Sequence, residues 1–138
     1  MRILGIDYGE KRLGLAVSDE SGWLALPLKT IIRNGQELKE ISEIVKNRAV
    51  KKIVLGLPLK MDGSPSKMVQ QVKMFGEQLT EVTNVPVDYS DERLTTKEVE
   101  RRLIEFDFSR NKRQKIQDQL SACVLLQTYL EIHRNENK

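Results

Sequence analysis

The sequence of 138 residues has little of what marks membrane and secreted proteins. No apolar run approaches the roughly 20 residues that span a bilayer, so no membrane segment is expected. The short apolar stretch at the start breaks at Asp7 and has no small-residue cleavage site of the kind that follows a secretory signal. We therefore expect a cytoplasmic protein.

Several common catalytic motifs are also missing. The sequence has no phosphate-binding loop of the form GxxxxGK[ST], no nucleophile elbow and no Cys/His spacing typical of zinc sites. The one cysteine, Cys123, lies among apolar residues at helical spacing and is expected in the core. The one histidine, His133, lies near a polar tail and is expected to be solvated. Any chemistry is therefore expected from carboxylates.

The length and composition of the chain indicate one small domain, and its net charge is compatible with nucleic-acid binding. With 39% hydrophobic and 31% charged residues, the chain is expected to form a single domain over residues 1–138. A net charge of +3 permits nucleic-acid binding without requiring it. The run SRNKRQK is free of acids and is either a solvated loop or a phosphate-contacting patch; its basic residues are Arg110, Lys112, Arg113 and Lys115.

The hydrophobic pattern predicts an α/β fold. Apolar runs at 2–7 and 13–18 flank the segment YGEKR and indicate a hairpin, which a third run at 23–32 extends. Two helix–strand units follow, with helices at 36–47 and 67–82 and strands at KKIVLG and VPVDYS. Further helices are predicted at 95–106, where Thr95 and Glu98 have capping-box spacing, and at about 112–133. The expected result is a five-stranded mixed sheet with an antiparallel meander, two parallel strands and helices on both faces.

Acidic residues occur where predicted strands end. Asp7 ends the first strand, and Asp91 and Glu92 follow the fifth. If the first strand lies beside the fourth and parallel to it, both acidic positions reach one edge of the sheet, where such sheets bind their ligands. Asp118 begins a helical stripe that is otherwise apolar, which holds its charge towards the core.

Three converging carboxylates form an all-oxygen site suited to Mg²⁺ or Mn²⁺. Two such ions, about 3.5–4 Å apart, can activate a water and stabilise the leaving oxygen in phosphodiester hydrolysis. Each acid also has a simpler interpretation. Asp7 could pair with Lys11 or Arg12, Glu92 with Arg93, and Asp118 with a cation of the preceding basic run. Only the conjunction of the three favours a catalytic site, and the pattern alone does not decide between Asp91 and Glu92.

Four segments, in order, resemble the YqgF family, also called RuvX, of bacterial ribonuclease H-like proteins. They are GIDYGEKRLGLAVSD, GLPLKMDGS, DERLTT and KIQDQLSACVLLQTYL. The resemblance implies a ribonuclease H-like fold with the first strand beside the fourth. It also implies a nuclease, described both as a Holliday junction resolvase and as an enzyme that matures the 5′ end of the 16S ribosomal RNA precursor.

By this resemblance the catalytic, metal-holding acids fall on Asp7, Glu92 and Asp118, with Glu92 preferred to Asp91. The family more usually has paired alanines where this chain has Ser121-Ala122-Cys123, a change between small residues. Nucleic-acid contacts are expected from the basic run and from four other residues near the acidic motifs: Lys11, Arg12, Lys60 and Arg93.

The expected partner is nucleic acid, with structured precursor RNA favoured over a branched DNA junction. Two hypotheses of other classes stay open at this point. A strand that ends in DYG before a hairpin also occurs in actin-like and sugar-kinase-like ATPases, although those enzymes close two domains around their nucleotide. The chain could also be a non-catalytic RNA-binding module of ribosome assembly.

Overall fold

A computed structural model describes residues 1–95, 97–106 and 117–136. Within these ranges the chain forms five strands and four α-helices, and a 3-10 turn, Glu92–Leu94, follows the last strand. In chain order the elements are β1 (Arg2–Tyr8), β2 (Arg12–Ser18), β3 (Ala25–Ile32), α1 (Glu37–Asn47), β4 (Val50–Leu57), α2 (Lys67–Thr83), β5 (Val87–Asp91), α3 (Lys97–Phe106) and α4 (Gln117–Glu136).

The strands form one mixed sheet in the order β3-β2-β1-β4-β5. The first three strands pair antiparallel, whereas β4 runs parallel to both β1 and β5. The predicted meander and the predicted neighbourhood of β1 and β4 are therefore confirmed. Because β1 and β5 both run parallel to β4, their carboxyl ends lie at the same edge of the sheet.

Each face of the sheet is covered by its own pair of helices. Leu4 and Ile6 of β1 belong to the core under α1 and α2, whereas Ile3 belongs to the core shared with α3 and α4. Successive side chains of a strand point to opposite faces. Asp7 therefore lies on the face of Ile3, beneath α4.

Helix α4 is buried almost all round, as expected of a helix that is apolar on every side. Residues 122–130 are all buried, and Cys123 is fully buried, as its pattern predicted. The helix passes very close to β2, since a Cβ added at Gly14 would lie 2.0 Å from the carbonyl oxygen of Asp118. Only glycine permits this approach, which fixes the height of Asp118 above the sheet.

Two elements, β3 and α3, begin later than the sequence pattern predicted. Strand β3 begins at Ala25, because the Asp19 carboxylate accepts hydrogen bonds from the backbone amides of Trp23 and Leu24 and keeps them in a turn. Helix α3 begins at Lys97, and the Thr95 hydroxyl donates instead to a carbonyl of the 3-10 turn.

His133 was expected to be solvated, but its ring packs on the ring of Tyr129, with the two ring centroids 4.0 Å apart.

The basic run that was predicted to contact phosphates lies outside the described residues. It consists of Arg110, Lys112, Arg113 and Lys115. None of the helices in the described ranges is both long and apolar enough to cross a membrane.

Candidate active site

A cavity of about 360 Å³ opens at the edge of the sheet where β1 and β5 end. Asp7 contributes its floor, Glu92 one side, and α3 and α4 the opposite wall. Two of the three predicted acids therefore line one cavity, and Asp118 is not among its lining residues. The complete lining consists of Asp7, Glu92, Thr95, Glu100, Gln117, Leu120, Ser121, Val124 and Leu125.

Asp7 has the most strongly perturbed carboxyl group of the site. Burial, and to a smaller extent the negative charges of Glu92 and Asp118, together raise its pKa from 3.8 to about 7. Across the described part of the chain, no cationic side chain lies within ion-pair distance of Asp7. Such a carboxylate is destabilised when ionised and is stabilised by any cation that enters the cavity.

Glu92 is carried by the 3-10 turn that directly follows β5. Burial raises its pKa, with a smaller contribution from the charge of Asp91. The turn is closed by Thr95, whose hydroxyl donates to the Glu92 carbonyl at 2.9 Å. On the other side, a Cβ added at Gly56 would lie 2.7 Å from Glu92 Oε1, so glycine at the end of β4 makes room for this carboxylate.

Asp91, the alternative to Glu92, is occupied elsewhere. Its carboxylate caps the 3-10 turn by accepting from the backbone amide of Arg93 at 2.9 Å, and it accepts again from Arg93 Nη2 at 2.6 Å. The hydrogen bond from Arg93 is the main reason that the pKa of Asp91 is lowered. The two neighbouring acids therefore have opposite pKa shifts, and Glu92 is the one that faces the cavity.

Asp118 forms an ion pair with Arg12, in which Arg12 Nε donates to Asp118 Oδ2 at 2.9 Å. The sequence suggested the nearby basic run for this role, but the partner comes from the start of β2, at the other end of the chain. In the described ranges, no three Asp, Glu, His or Cys side chains form a group that could hold a metal ion. The shared metal site of Asp7, Glu92 and Asp118 stays a prediction.

The turn after Asp7 is held by Arg33, which follows β3. Its guanidinium lies 4.5 Å from the centre of the Tyr8 ring and donates to the Gly9 carbonyl at 3.2 Å. Glu37, at the start of α1, accepts from Arg33 Nε at 3.2 Å and is itself buried. Sequence reasoning missed this clamp, although the opposite charges four residues apart were a readable signal.

The predicted phosphate contacts outside the basic run are all in exposed positions. Lys11 and Lys60 are exposed. Arg12 and Arg93 have carboxylate partners in Asp118 and Asp91. Arg93 also donates to the Met61 carbonyl at 3.4 Å, which links the loop that carries Lys60 to the turn that carries Glu92.

Four polar residues of the cavity were not predicted: Thr95, Glu100, Gln117 and Ser121. Ser121 and Gln117 lie on α4 close to Asp118, so the helical spacing around that acid was an available signal. Glu100 lies in the first turn of α3, and nothing in its sequence context distinguishes it from the other acids of that helix.

Comparison with known proteins places the chain among nucleases. The family model described as "RuvX: Holliday junction resolvase" matches residues 1–132. A protein of Caldanaerobacter subterraneus subsp. tengcongensis named "Putative pre-16S rRNA nuclease" is 47% identical over 138 residues, which cover 98% of this chain and 99% of the relative. A Bacillus subtilis protein of the same name is 44% identical over 135 residues, which cover 95% and 98%.

Solved structures show the same fold. A Thermus thermophilus RuvC structure matches with a TM-score of 0.68 and 15% identity, and the match covers 99% of this chain and 97% of RuvC. RuvC of the same organism in complex with a Holliday junction substrate matches with a TM-score of 0.61 and 16% identity, covering 98% and 96%. The fold is thus ribonuclease H-like. From the family model and the full-length relatives together, the chain belongs to the RuvX family of nucleases.

Proposed function

We propose that this protein is a metal-dependent endonuclease that hydrolyses phosphodiester bonds in structured RNA, at the 5′ end of the 16S ribosomal RNA precursor. The observation that carries the chemistry is the Asp7 carboxylate, which is half-buried in an open cavity beside Glu92 and has a pKa raised to about 7. The names of the full-length relatives favour the RNA substrate. A cytoplasmic location follows from that substrate.

The donor set at the cavity fits Mg²⁺ or Mn²⁺. Carboxylate oxygens are the ligands that these ions prefer, and Asp7 and Glu92 offer them without a competing cation from the described residues. In such sites the bound ions activate a water and stabilise the leaving oxygen. Asp118 would complete the ligand set once Arg12 no longer holds its carboxylate.

The basic residues have a separate task, which is to position the substrate. Lys11 and Lys60 are exposed and available for phosphate oxygens. Arg12 can exchange its carboxylate partner for a phosphate, because its ion pair with Asp118 is solvent-accessible and costs little to break. Arg93 is joined to Asp91 by several hydrogen bonds and is expected to contact a phosphate without leaving that carboxylate. If Arg12 binds a phosphate of the substrate, its ion pair with Asp118 is broken and the Asp118 carboxylate can turn towards Asp7. Substrate binding would then promote assembly of the acidic site, and assembly of the acidic site would promote substrate binding.

The decisive experiment offers the purified protein two substrates in Mg²⁺ or Mn²⁺. One is a precursor RNA that spans the 5′ end of the 16S sequence, and the other is a four-way DNA junction. We expect metal-dependent cleavage of the RNA, and no cleavage by Asp7→Asn. Binding of Mn²⁺ followed by calorimetry gives a readout apart from activity, and it should be weakened in the same variant.

The other outcomes separate the competing functions. Cleavage of the junction but not of the RNA would support the resolvase activity for which the family model is named. Tight binding of RNA without cleavage in either metal would favour the non-catalytic assembly module. Either result would contradict the proposed substrate or the proposed chemistry.

A further inference from the structure

A second cavity of about 380 Å³ lies at the opposite end of the sheet. Its walls come from the turn before β3, from β4 and from the last turns of α4. Ile3, near the start of β1, lines this cavity, whereas Asp7, near the end of the same strand, lines the active-site cavity. The two cavities are therefore separate, and the volume of the second is within the range of small-ligand sites.

One exposed wall of this cavity is an aromatic ring held in a fixed orientation. Trp23 is 59% exposed, although its backbone amide is tied to the Asp19 carboxylate at 2.8 Å. The Arg134 guanidinium lies 3.7 Å from the centre of the Trp23 ring, and Arg134 Nη2 donates to the Trp23 carbonyl at 2.8 Å. A ring fixed in this way loses little conformational entropy when a planar group stacks on it.

The ionisable side chains of the lining include three basic ones. Lys52, His133 and Arg134 line the cavity, and no acidic side chain does so among the residues that the structure describes. Lys52 Nζ donates to the Tyr129 hydroxyl at 2.9 Å, and that hydroxyl donates to the Asp88 carboxylate at 2.7 Å. Asp88 thus reaches Lys52 through Tyr129, which leaves the ammonium group on the side of the cavity.

We infer that this cavity binds a nucleotide, with the base stacked on Trp23 and the phosphate held by Lys52 and Arg134. An aromatic platform beside cations and without a lining acid is complementary to a nucleotide, which joins a planar base to a negatively charged phosphate. An uncharged apolar ligand would use the ring but not the charges of Lys52 and Arg134, and a bare anion would use those charges but not the ring. The inference does not depend on the proposed cleavage activity.

The nucleotide has two possible sources with the same chemistry. It is either a free mononucleotide or one unit of a single-stranded RNA. In the second case the strand would lie along α4, whose residues 118 and 134 are separated by roughly 24 Å along the helix axis. The experiment below includes a probe for each source.

Trp23 is the only tryptophan of the chain, so its fluorescence reports on this cavity alone. We would titrate the intact protein with AMP, adenosine, inorganic phosphate and a short single-stranded RNA. We expect saturable quenching by AMP or by the RNA, with adenosine and phosphate each binding at least about tenfold more weakly. A response to AMP assigns the cavity to a free nucleotide, and a response to RNA alone assigns it to a strand.

Substitutions test the roles proposed for the basic residue Lys52 and for the aromatic ring of Trp23. Lys52→Gln should weaken binding about tenfold, whereas Lys39→Gln, an exposed change on α1 at the other face of the sheet, should have no effect. By calorimetry, Trp23→Phe should retain binding and Trp23→Ala should lose about tenfold. Circular dichroism checks that each variant is folded.

Two results would overturn the inference. One is an absence of quenching by both AMP and RNA at millimolar concentration. The other is quenching that Lys52→Gln and Lys39→Gln affect equally, since the basic wall would then have no role in binding.

Discussion

Arg12 Nε donates to Asp118 Oδ2 at 2.9 Å, and this bond joins a predicted phosphate-binding residue to a predicted metal ligand. The Arg12 side chain is 61% exposed and that of Asp118 is 33% exposed, so the pair is accessible to solvent. Exposed pairs of this type contribute about 0–1 kcal/mol, which a phosphate group can readily exceed. We therefore expect the ion pair to couple nucleic-acid binding to the availability of Asp118.

Replacing Arg12 with glutamine should have opposite effects on the two ligands. Nucleic-acid binding should weaken, and the slope of log affinity against log salt should fall by about the amount expected for one phosphate contact. Affinity for Mn²⁺ should rise, because Asp118 loses its competing cation. Filter binding over a salt series and calorimetry with Mn²⁺ measure the two effects. The matched control is Lys11→Gln, which should weaken nucleic-acid binding alone. Equal Mn²⁺ affinity in both variants would rule out the coupling.

Replacing Asp7 with asparagine should stabilise the metal-free protein in a pH-dependent way. Because the folded-state pKa of Asp7 is raised to about 7 from 3.8, its ionisation costs stability progressively between about pH 4 and pH 7. The variant should match the wild type near pH 4 and exceed it above pH 7, by up to roughly 3 kcal/mol.

Denaturant unfolding in the presence of a chelator, repeated across this pH range, measures the difference. Asp91→Asn is the control with the opposite sign, because the pKa of Asp91 is lowered and its charge stabilises the folded state at neutral pH. If Asp7→Asn is less stable than the wild type at every pH, Asp7 has a structural role and the acidic site is misassigned.

Substitutions of Glu92 and of Asp91 should reduce the cleavage rate by clearly different factors. Glu92→Gln should reduce cleavage at least about a hundredfold, whereas Asp91→Asn should act mainly by loosening Arg93 and the turn, and reduce it no more than about tenfold. Single-turnover cleavage with saturating metal measures both, and Glu98→Gln, an exposed change on α3, is the control. The reverse ranking would move the ligand by one residue.

Two glycine substitutions should affect different properties. Gly14→Ala places a Cβ 2.0 Å from the Asp118 carbonyl, a backbone atom of α4, and should cost more than about 3 kcal/mol of stability. Gly56→Ala meets the Glu92 side chain instead, which can move away. It should therefore lower activity more than stability. Thermal unfolding and cleavage rates of the two variants test this; similar losses of stability would show that Glu92 is rigidly packed.

The basic run outside the described residues gives a prediction about salt. Replacing Arg110 and Lys112 with glutamine should flatten the plot of log affinity against log salt by about one to two units. Cleavage at saturating substrate should be nearly unchanged, because these residues are assigned to positioning. Lys39→Gln with Lys46→Gln on α1 is the matched double control. If both double variants have the wild-type slope, the run is a solvated loop.

The sequence pattern was sufficient for the strands, because the continuous apolar runs of β1 and β2 are typical of strands buried on both faces. The position of β1 beside β4 came from the resemblance to the family. The pattern also predicted that Asp7 lies at a functional edge. The start of β3 was wrong by two residues, since the apolar character of Trp23 outweighed the turn signal of Asp19 in the pattern.

Tertiary partners were the part that the sequence could not supply. Arg12 and Asp118 are far apart in the chain and meet only because α4 lies across β2. Glu100 lines the cavity because α3 stands opposite β5, which no local pattern encodes. Spacing rules reach across one helix turn or one hairpin, whereas these contacts depend on how whole elements pack.

The close passage of α4 over Gly14 has a consequence for how the protein is made. Asp7 lies at the end of β1 and is synthesised before α4, which provides one wall of its cavity. During translation β1 and β2 leave the ribosome before that helix, so the surface around Gly14 is not yet covered by α4. The cavity around Asp7 is therefore complete only once α4 docks, and we expect the nascent chain to be unable to cleave RNA before that point.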